Sequence, residues 1–392
     1  MFDHDLRSYD LKVELAKCFN GNGIVYLGQH TPSKEHVAIK KFLMENIRND
    51  FNLIMEEAKH MREFDHPNIL SYYTAFVHTL DLYFILPLMC YGSCRDTMSN
   101  YFETGFPETL LVCILRDVTN GLEYLHRKGY IHRSIRASHI FLNESRAIIG
   151  GFRVCTNILV EGKRVKNLHE LPPHSTKSLN WLAPEVLAQN LLGYTEKSDI
   201  YSLGITTCEL ANGVEPFSNF QTTLMLTEKM RGYQPLLLDS STIPSDEVFA
   251  QAMESGVGDS GSTQTRQIYS RRQFTDALHK FTELCLISNP AERSSAIDLL
   301  SHPVFKQCRS TSIREQFAAC GIETADFNTI KGKVANAKAA AVMVKLCIEI
   351  IFDDFFIKSV VVDRIKATAT RFCKINSRYL LVFNTLVKIP SY

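Results

Sequence analysis

The hydrophobic pattern of this chain changes period near residue 90, and that change limits the architectures open to it. Before it, "GIVYLGQH" (23–30) and "HVAIKKFL" (36–43) are β-branched and aromatic runs separated by the turn "TPSKE", the signature of paired strands. One helical segment interrupts them at about 49–64, with Phe51, Ile54, Ala58 and Met61 along one face. "HPNILSYYTAF" and "LDLYFILPLM" read as two more strands. After "CYGS" the spacing becomes helical. In "ETLLVCILRDVTNGLEYLHRKG", Leu111, Leu115, Val118, Leu122 and Leu125 recur at steps of three and four, and the run stops near Gly129. "SDIYSLGITTCELANG" and "FTDALHKFTELCLISN" read as further helices. Strands first and helices afterwards predict an α+β, bilobal chain: a β-rich N-lobe over 9–88, a hinge at 87–92 and a larger helical C-lobe over 93–305.

Composition narrows the function classes. The 392 residues are 45% hydrophobic and 22% charged, which is ordinary for a globular chain with ample core. A formal net charge of +1 provides no global field for nucleic acid or acidic membrane, and the basic run "EGKRVK" (161–166) reads as a solvated loop. Eleven cysteines contain no C-x-x-C pair. The nearest two, Cys90 and Cys94, make a weak metal signal, so buried reduced thiols are expected, in the cytoplasm or nucleus. The polar start "MFDHDLRSYD" does not resemble a secretory signal. Lys345, Glu349, Asp353 and Asp354 interrupt the apolar stretch "AAAVMVKLCIEIIFDDFF", against a membrane span. Residues 240–270, rich in Ser, Thr, Asp and Gly, read as a flexible insertion, and 306–392 as an extension of unknown role. Within it "KVANAKAAAVMVKLC" reads as helical and "YLLVFNTLVKI" as a strand or short helix.

"VAIK" (37–40), "HRS" (132–134), "APE" (183–185), "DIYSLG" (199–204) and Arg293 follow one another in order. Together they resemble the protein kinase fold over residues 9–305. The resemblance implies that Lys40 meets the α- and β-phosphates of ATP and pairs with Glu57 of the helix. It implies a hinge at "LYFILPLMCYGS" with Leu86 as gatekeeper, where the Pro87 carbonyl and the Met89 N–H take an adenine. Gly23, Val25 and Ala38 complete the expected nucleotide cleft. The glycine loop is degenerate: counted back from Gly23 and Val25, its first two glycines correspond to Cys18 and Asn20.

The chemical end departs from that pattern. Ser134 stands where the base aspartate belongs, His139 at the metal-binding asparagine and Arg136 at the lysine of the same loop. Gly151-Phe152-Arg153 corresponds to Asp-Phe-Gly, so the metal carboxylate is missing. A serine hydroxyl cannot accept the substrate proton as a carboxylate does, and Mg²⁺ prefers hard oxygen ligands. Phosphoryl transfer is therefore expected to be near background. If ATP binds without Mg²⁺, Lys40 and Arg153 are the expected compensating cations. By contrast, Glu185 with Arg293, Asp199, His132 and Arg133 keep the residues that hold such a fold together.

"HRSIRASHI", "WLAPEVLAQNLLGYTEKSDIYSLGITTCELANG" and "LLLDSSTIP" resemble the sterile-20-related kinase adaptors, STRAD. That resemblance implies a pseudokinase that binds and allosterically activates liver kinase B1, in a heterotrimer with an armadillo-repeat scaffold of the Mo-twenty-five type. The partner surface would include the activation segment, 153–182, and the helix side of the N-lobe. Two departures stand out: Lys40 is retained, and the ending "LLVFNTLVKIPSY" carries no Trp-Glu-Phe motif, the sole tryptophan being Trp181. A weakly active Ser/Thr kinase using Lys40, and an interaction module that binds no nucleotide, are the competing expectations.

Overall fold

The computed structural model of the chain describes residues 2–160, 163–164, 167–189, 191–242, 263–308 and 311–322. The basic run 161–166 and the segment 240–270 lie partly outside these residues, and the tail stretches 333–347 and 379–389 wholly so.

The N-lobe is one antiparallel sheet of β1 (Tyr9–Cys18), β2 (Gly23–His30), β3 (His36–Leu43), β4 (Thr74–His78) and β5 (Asp81–Pro87), in the order β1-β2-β3-β5-β4. The helix α1 (Phe51–Glu63) lies between β3 and β4. Period-two alternation sorts β3. Val37 and Ile39 face a small cluster with Tyr9, Phe76, Tyr83 and Ile85, while Phe42 enters the main core and Ala38 packs against it. Lys40 shares that second face by register. "HPNILSYYTAF" is mostly not a strand. Only its end lies in β4, because Ile69 makes a lone bridge to Ile149 and Leu70 N–H donates to Ile149 C=O at 2.8 Å. Ile69 and Leu70 thus face the C-lobe, while Ala75 and Phe76 pair within the sheet.

The C-lobe begins with β6 (Gly92–Ser93), α2 (Cys94–Tyr101) and α3 (Glu108–Arg127). Ser93 and Asp96 cap α2 reciprocally. The hairpin β8 (Ile140–Leu142) and β9 (Ala147–Ile149) follows the short β7 (Tyr130–Ile131). Then come α4 (Pro184–Ala188), α5 (Lys197–Asn212), α6 (Thr222–Met230), α7 (Thr263–Ser270), α8 (Asp276–Leu286), α9 (Ala296–Leu300) and α10 (Ile313–Ala319). Every residue of α5 from Ser198 to Asn212 is buried, so this helix is the axis of the lobe. One apolar core runs from Phe42 and Ile54 through Phe152 to Tyr201 and Phe317, joining the lobes.

Two residues in segments without a structural expectation of burial lie in the core. Tyr269, inside the segment read as flexible, is buried, and its hydroxyl donates to the Asn212 carbonyl at 2.7 Å. Phe317, inside the extension of unknown role, is fully buried and stacks on Tyr91 with 3.9 Å between centroids. The described cysteines are free thiols, most of them buried.

Arg293 ties the end of the activation segment to this core. It is fully buried, chelates Glu185 at 2.6 and 3.0 Å, and donates to the carbonyls of Ile287, Lys197 and Ser288. Lys229 fixes the neighbouring stretch, with Nζ donating to the carbonyls of Asn180 at 2.6 Å and Leu182 at 2.8 Å. Removing one partner of a buried ion pair strands the other charge. Arg293→Met is expected to lower the unfolding free energy by roughly 3–5 kcal/mol in urea denaturation, with part of that loss recovered in the Glu185→Met/Arg293→Met double variant.

Candidate functional site: a nucleotide cleft with a closed catalytic loop

At the nucleotide end, the expected pair is formed: Lys40 Nζ lies 3.3 Å from Glu57 Oε2, both largely buried. Val25 stands opposite Lys40 across the sheet, and Ala38 opposite Leu86. Sheet pairing ends at Pro87 and the Met89 carbonyl accepts the Gly92 N–H at 3.0 Å, so Pro87 and Met89 bracket the crossing between lobes.

Phe19 of the degenerate glycine loop points inward. β1 and β2 are joined by a single 3₁₀ turn, Phe19–Gly21. Gly21 takes φ +95°, so the out-of-register glycine makes the turn. Gly23 serves packing: a Cβ there would lie 2.5 Å from the Phe42 ring and 2.6 Å from Cys18 Sγ. The Phe19 ring lies 4.8 Å from Lys40 Nζ and 4.6 Å from the Arg153 guanidinium carbon. Arg153, expected to compensate phosphate charge, instead pairs with Asp50 at 2.6 Å. Its carboxylate partner comes from the start of α1, a contact across 103 positions of sequence.

The chemical end is closed by its substitutions. His139 Nδ1 is 2.8 Å from the Ser134 carbonyl and 3.1 Å from Ser134 Oγ, while Nε2 is 3.0 Å from Arg136 Nη2. A carbonyl can only accept and a guanidinium can only donate. The imidazole is therefore neutral, with its proton on Nδ1 and its Nε2 lone pair held by Arg136. Burial first, and then the Arg136 charge, pushes its pKa well below the ordinary histidine value. Neither nitrogen is available as base or metal ligand. Arg136 also reaches the Lys177 carbonyl at 3.3 Å.

The loss at Gly151 is coupled to the same ring. Gly151 has φ +79°, and a Cβ there would lie 2.6 Å from His139 Cγ and Nδ1. His139 occupies the space into which an aspartate at 151 would project. Among the described residues no group of three or more His, Cys, Asp or Glu is placed to hold a metal ion. Ser134, His139 and Gly151 do not fit Mg²⁺, which needs hard oxygen donors.

The loop itself is held firmly. Asp199 accepts the N–H groups of His132 and Arg133, each at 2.8 Å, and faces His126 Nε2 at 2.9 Å. His132 Nε2 donates to the Gly150 carbonyl at 3.0 Å, its Nδ1 accepting the Ser134 N–H. Burial pushes this imidazole down to about 4. Arg133 binds the Val154 carbonyl at 2.6 Å and the Tyr194 hydroxyl at 3.2 Å. Glu209 was not singled out from the sequence. It accepts the Ala137 N–H, the Trp181 indole N–H and Arg95 Nη2, and burial raises its pKa. Its place inside an apolar helix, "ITTCELANG", was the signal for a paired buried acid.

The Gly151–His139 contact makes single reversion unfavourable. Gly151→Asp is expected to cost roughly 2–4 kcal/mol in thermal or urea denaturation, from the left-handed backbone and overpacking. The Gly151→Asp/His139→Asn double variant should recover the overpacking part.

Similarity to known proteins agrees with this geometry. A model of the protein kinase domain matches residues 20–305. STE20-related kinase adapter protein alpha of Homo sapiens is 38% identical over 315 residues, 77% of this chain and 73% of that protein. The Gallus gallus protein of the same name is 37% identical over 319 residues, 78% and 82% of the two chains. STE20-related kinase adapter protein beta of Homo sapiens is 38% identical over 322 residues, 78% and 76%. With a bilobal α+β fold, a protein kinase domain and relatives of this closeness, the chain belongs to the STE20-related kinase adapter proteins.

Proposed function

We propose that this chain is a pseudokinase adaptor that binds and activates a partner Ser/Thr kinase of the liver kinase B1 type, together with an armadillo-repeat scaffold protein. The observation that carries the reading is the division of the loop: Ser134, His139 and Gly151 are packed against one another, while Asp199 and Arg133 hold the loop's shape. A protein built this way acts by favouring the partner conformation that it binds better. The activation segment, 153–182, and the α1 side are the proposed contact surfaces. The proposed setting is the cytoplasm or nucleus. Among the described residues no helix is long and apolar enough to cross a membrane.

The same reading gives the cleft to ATP, held without phosphoryl transfer and without Mg²⁺. Lys40 would face its phosphates, Pro87 C=O and Met89 N–H its adenine, and Gly23, Val25 and Ala38 would flank it. Arg153 joins Lys40 only by leaving Asp50. The formed Lys40–Glu57 pair favours one second reading, a weakly active Ser/Thr kinase.

Radiolabelled phosphotransfer by the wild type and Lys40→Ala separates the two. The adaptor reading expects equal background incorporation, and Lys40-dependent incorporation would sink it. Affinity for ATP should be the same within about twofold in Mg²⁺ and in EDTA, since among the described residues no cluster is placed to recruit the metal; a strict Mg²⁺ requirement would count against the metal-free site.

A further inference from the structure

Phe19 sits where three elements of the cleft meet. Its ring lies within cation–π range of Lys40 on β3 and of Arg153, just after the catalytic loop. It also meets the Phe42 ring edge-on, at 5.1 Å and 90°. Arg153 in turn is bonded to Asp50, beside which His174 Nε2 stands at 3.7 Å. The ring therefore connects the glycine loop, β3 and the segment 152–154 through contacts made within the chain.

The backbone is arranged to deliver it. Phe19 has φ +51°, in the left-handed region that is costly for a non-glycine residue and that its contacts must offset. Gly23 leaves room for Phe42 and Cys18 to fill the space of a side chain, which lets the turn settle onto β3. Cys18 and Phe19 are both partly buried against the main core. The residues flanking Phe19, Cys18 and Asn20, stand at the positions where the nucleotide-binding loop of this fold has glycines.

We propose that Phe19 is an internal ligand of this cleft: its ring face takes Lys40 and Arg153, the cations that would meet a nucleotide's phosphates, so that Phe19 and nucleotide are alternative occupants. The competition rests on the reading of Lys40 as the phosphate cation; the bridging contact does not. Two cation–π contacts of about 0.5–1 kcal/mol each correspond to roughly a tenfold handicap for the nucleotide.

Titration of the full chain with a fluorescent ATP analogue tests this on the wild type, Phe19→Ala and Phe19→Leu, the last keeping apolar bulk without a ring face. Phe19→Ala should bind about tenfold tighter than the wild type, with Phe19→Leu between them. Equal affinities would overturn the competition and leave the nucleotide reading standing. Hydrogen exchange of residues 14–24 without added nucleotide is the second measurement. Phe19→Ala should exchange faster there, and unchanged exchange would overturn the bridge. If none of the three proteins binds the analogue, the nucleotide reading and the competition both fail, and the exchange result alone decides whether Phe19 holds the loop.

Discussion

A single buried carboxylate, Asp199, carries the arrangement on which the rest of the structure depends. It is fully buried on α5 and takes three donors from outside its own helix: the N–H groups of His132 and Arg133 and the His126 ring. Burial alone would raise its pKa. The His126 hydrogen bond, the neighbouring imidazoles and the His132 N–H bring it below the ordinary aspartate value. A carboxyl lowered in this way stabilises the fold at neutral pH, and that stabilisation is lost as pH falls below the usual carboxylate range. With its amide anchored, Arg133 is held at φ +62°, and its side chain fixes Val154. His132 stacks edge-on against Phe152, and Phe152 against Phe64 just beyond α1. One carboxylate thereby sets the loop, the segment after it and the seating of the N-lobe helix.

The catalytic substitutions look independent in sequence and are one network in space. His139 bonds Ser134 on one nitrogen and Arg136 on the other, and its ring fills the volume over Gly151. Each change makes the others easier to keep. A serine accommodates the imidazole, the imidazole excludes a side chain at 151, and the glycine accepts the left-handed backbone there. The His139 ring nitrogens are thereby both engaged, one by Ser134 and the other by Arg136, which avoids the cost of leaving them buried and unpaired.

Much of this was legible in the residues because local period and motif register carry it. The β-branched and aromatic run "HVAIKKFL" marked a strand, and the motif register predicted the pairing of Lys40 with Glu57. Helical spacing located α3 and α5. What was missed depends on distant parts of the chain. The Arg153–Asp50 pair was not foreseen because Asp50 is far away in sequence and lies in a stretch without a motif. Phe19 was passed over because the loop was read for missing glycines, and an aromatic between them has no periodicity to mark its direction. The start of "HPNILSYYTAF" looked like a strand because Ile69 and Leu70, set against Ile149, produce the same apolar pattern as sheet pairing. Phe317 belongs to the core, yet nothing in its short polar surroundings distinguishes it from a tail residue.

The central claim is that the loop serves as a shape for binding and not as a site of chemistry. Activity of a reconstituted partner kinase of the liver kinase B1 type, titrated with this chain and its scaffold, tests that most directly. Ser134→Ala, at the position where the protein kinase fold carries its base aspartate, is expected to activate the partner as the wild type does. Asp199→Asn, which weakens the anchor of the loop, should lose activation at equal concentration. Activation that survives in Asp199→Asn but disappears in Ser134→Ala would contradict the account.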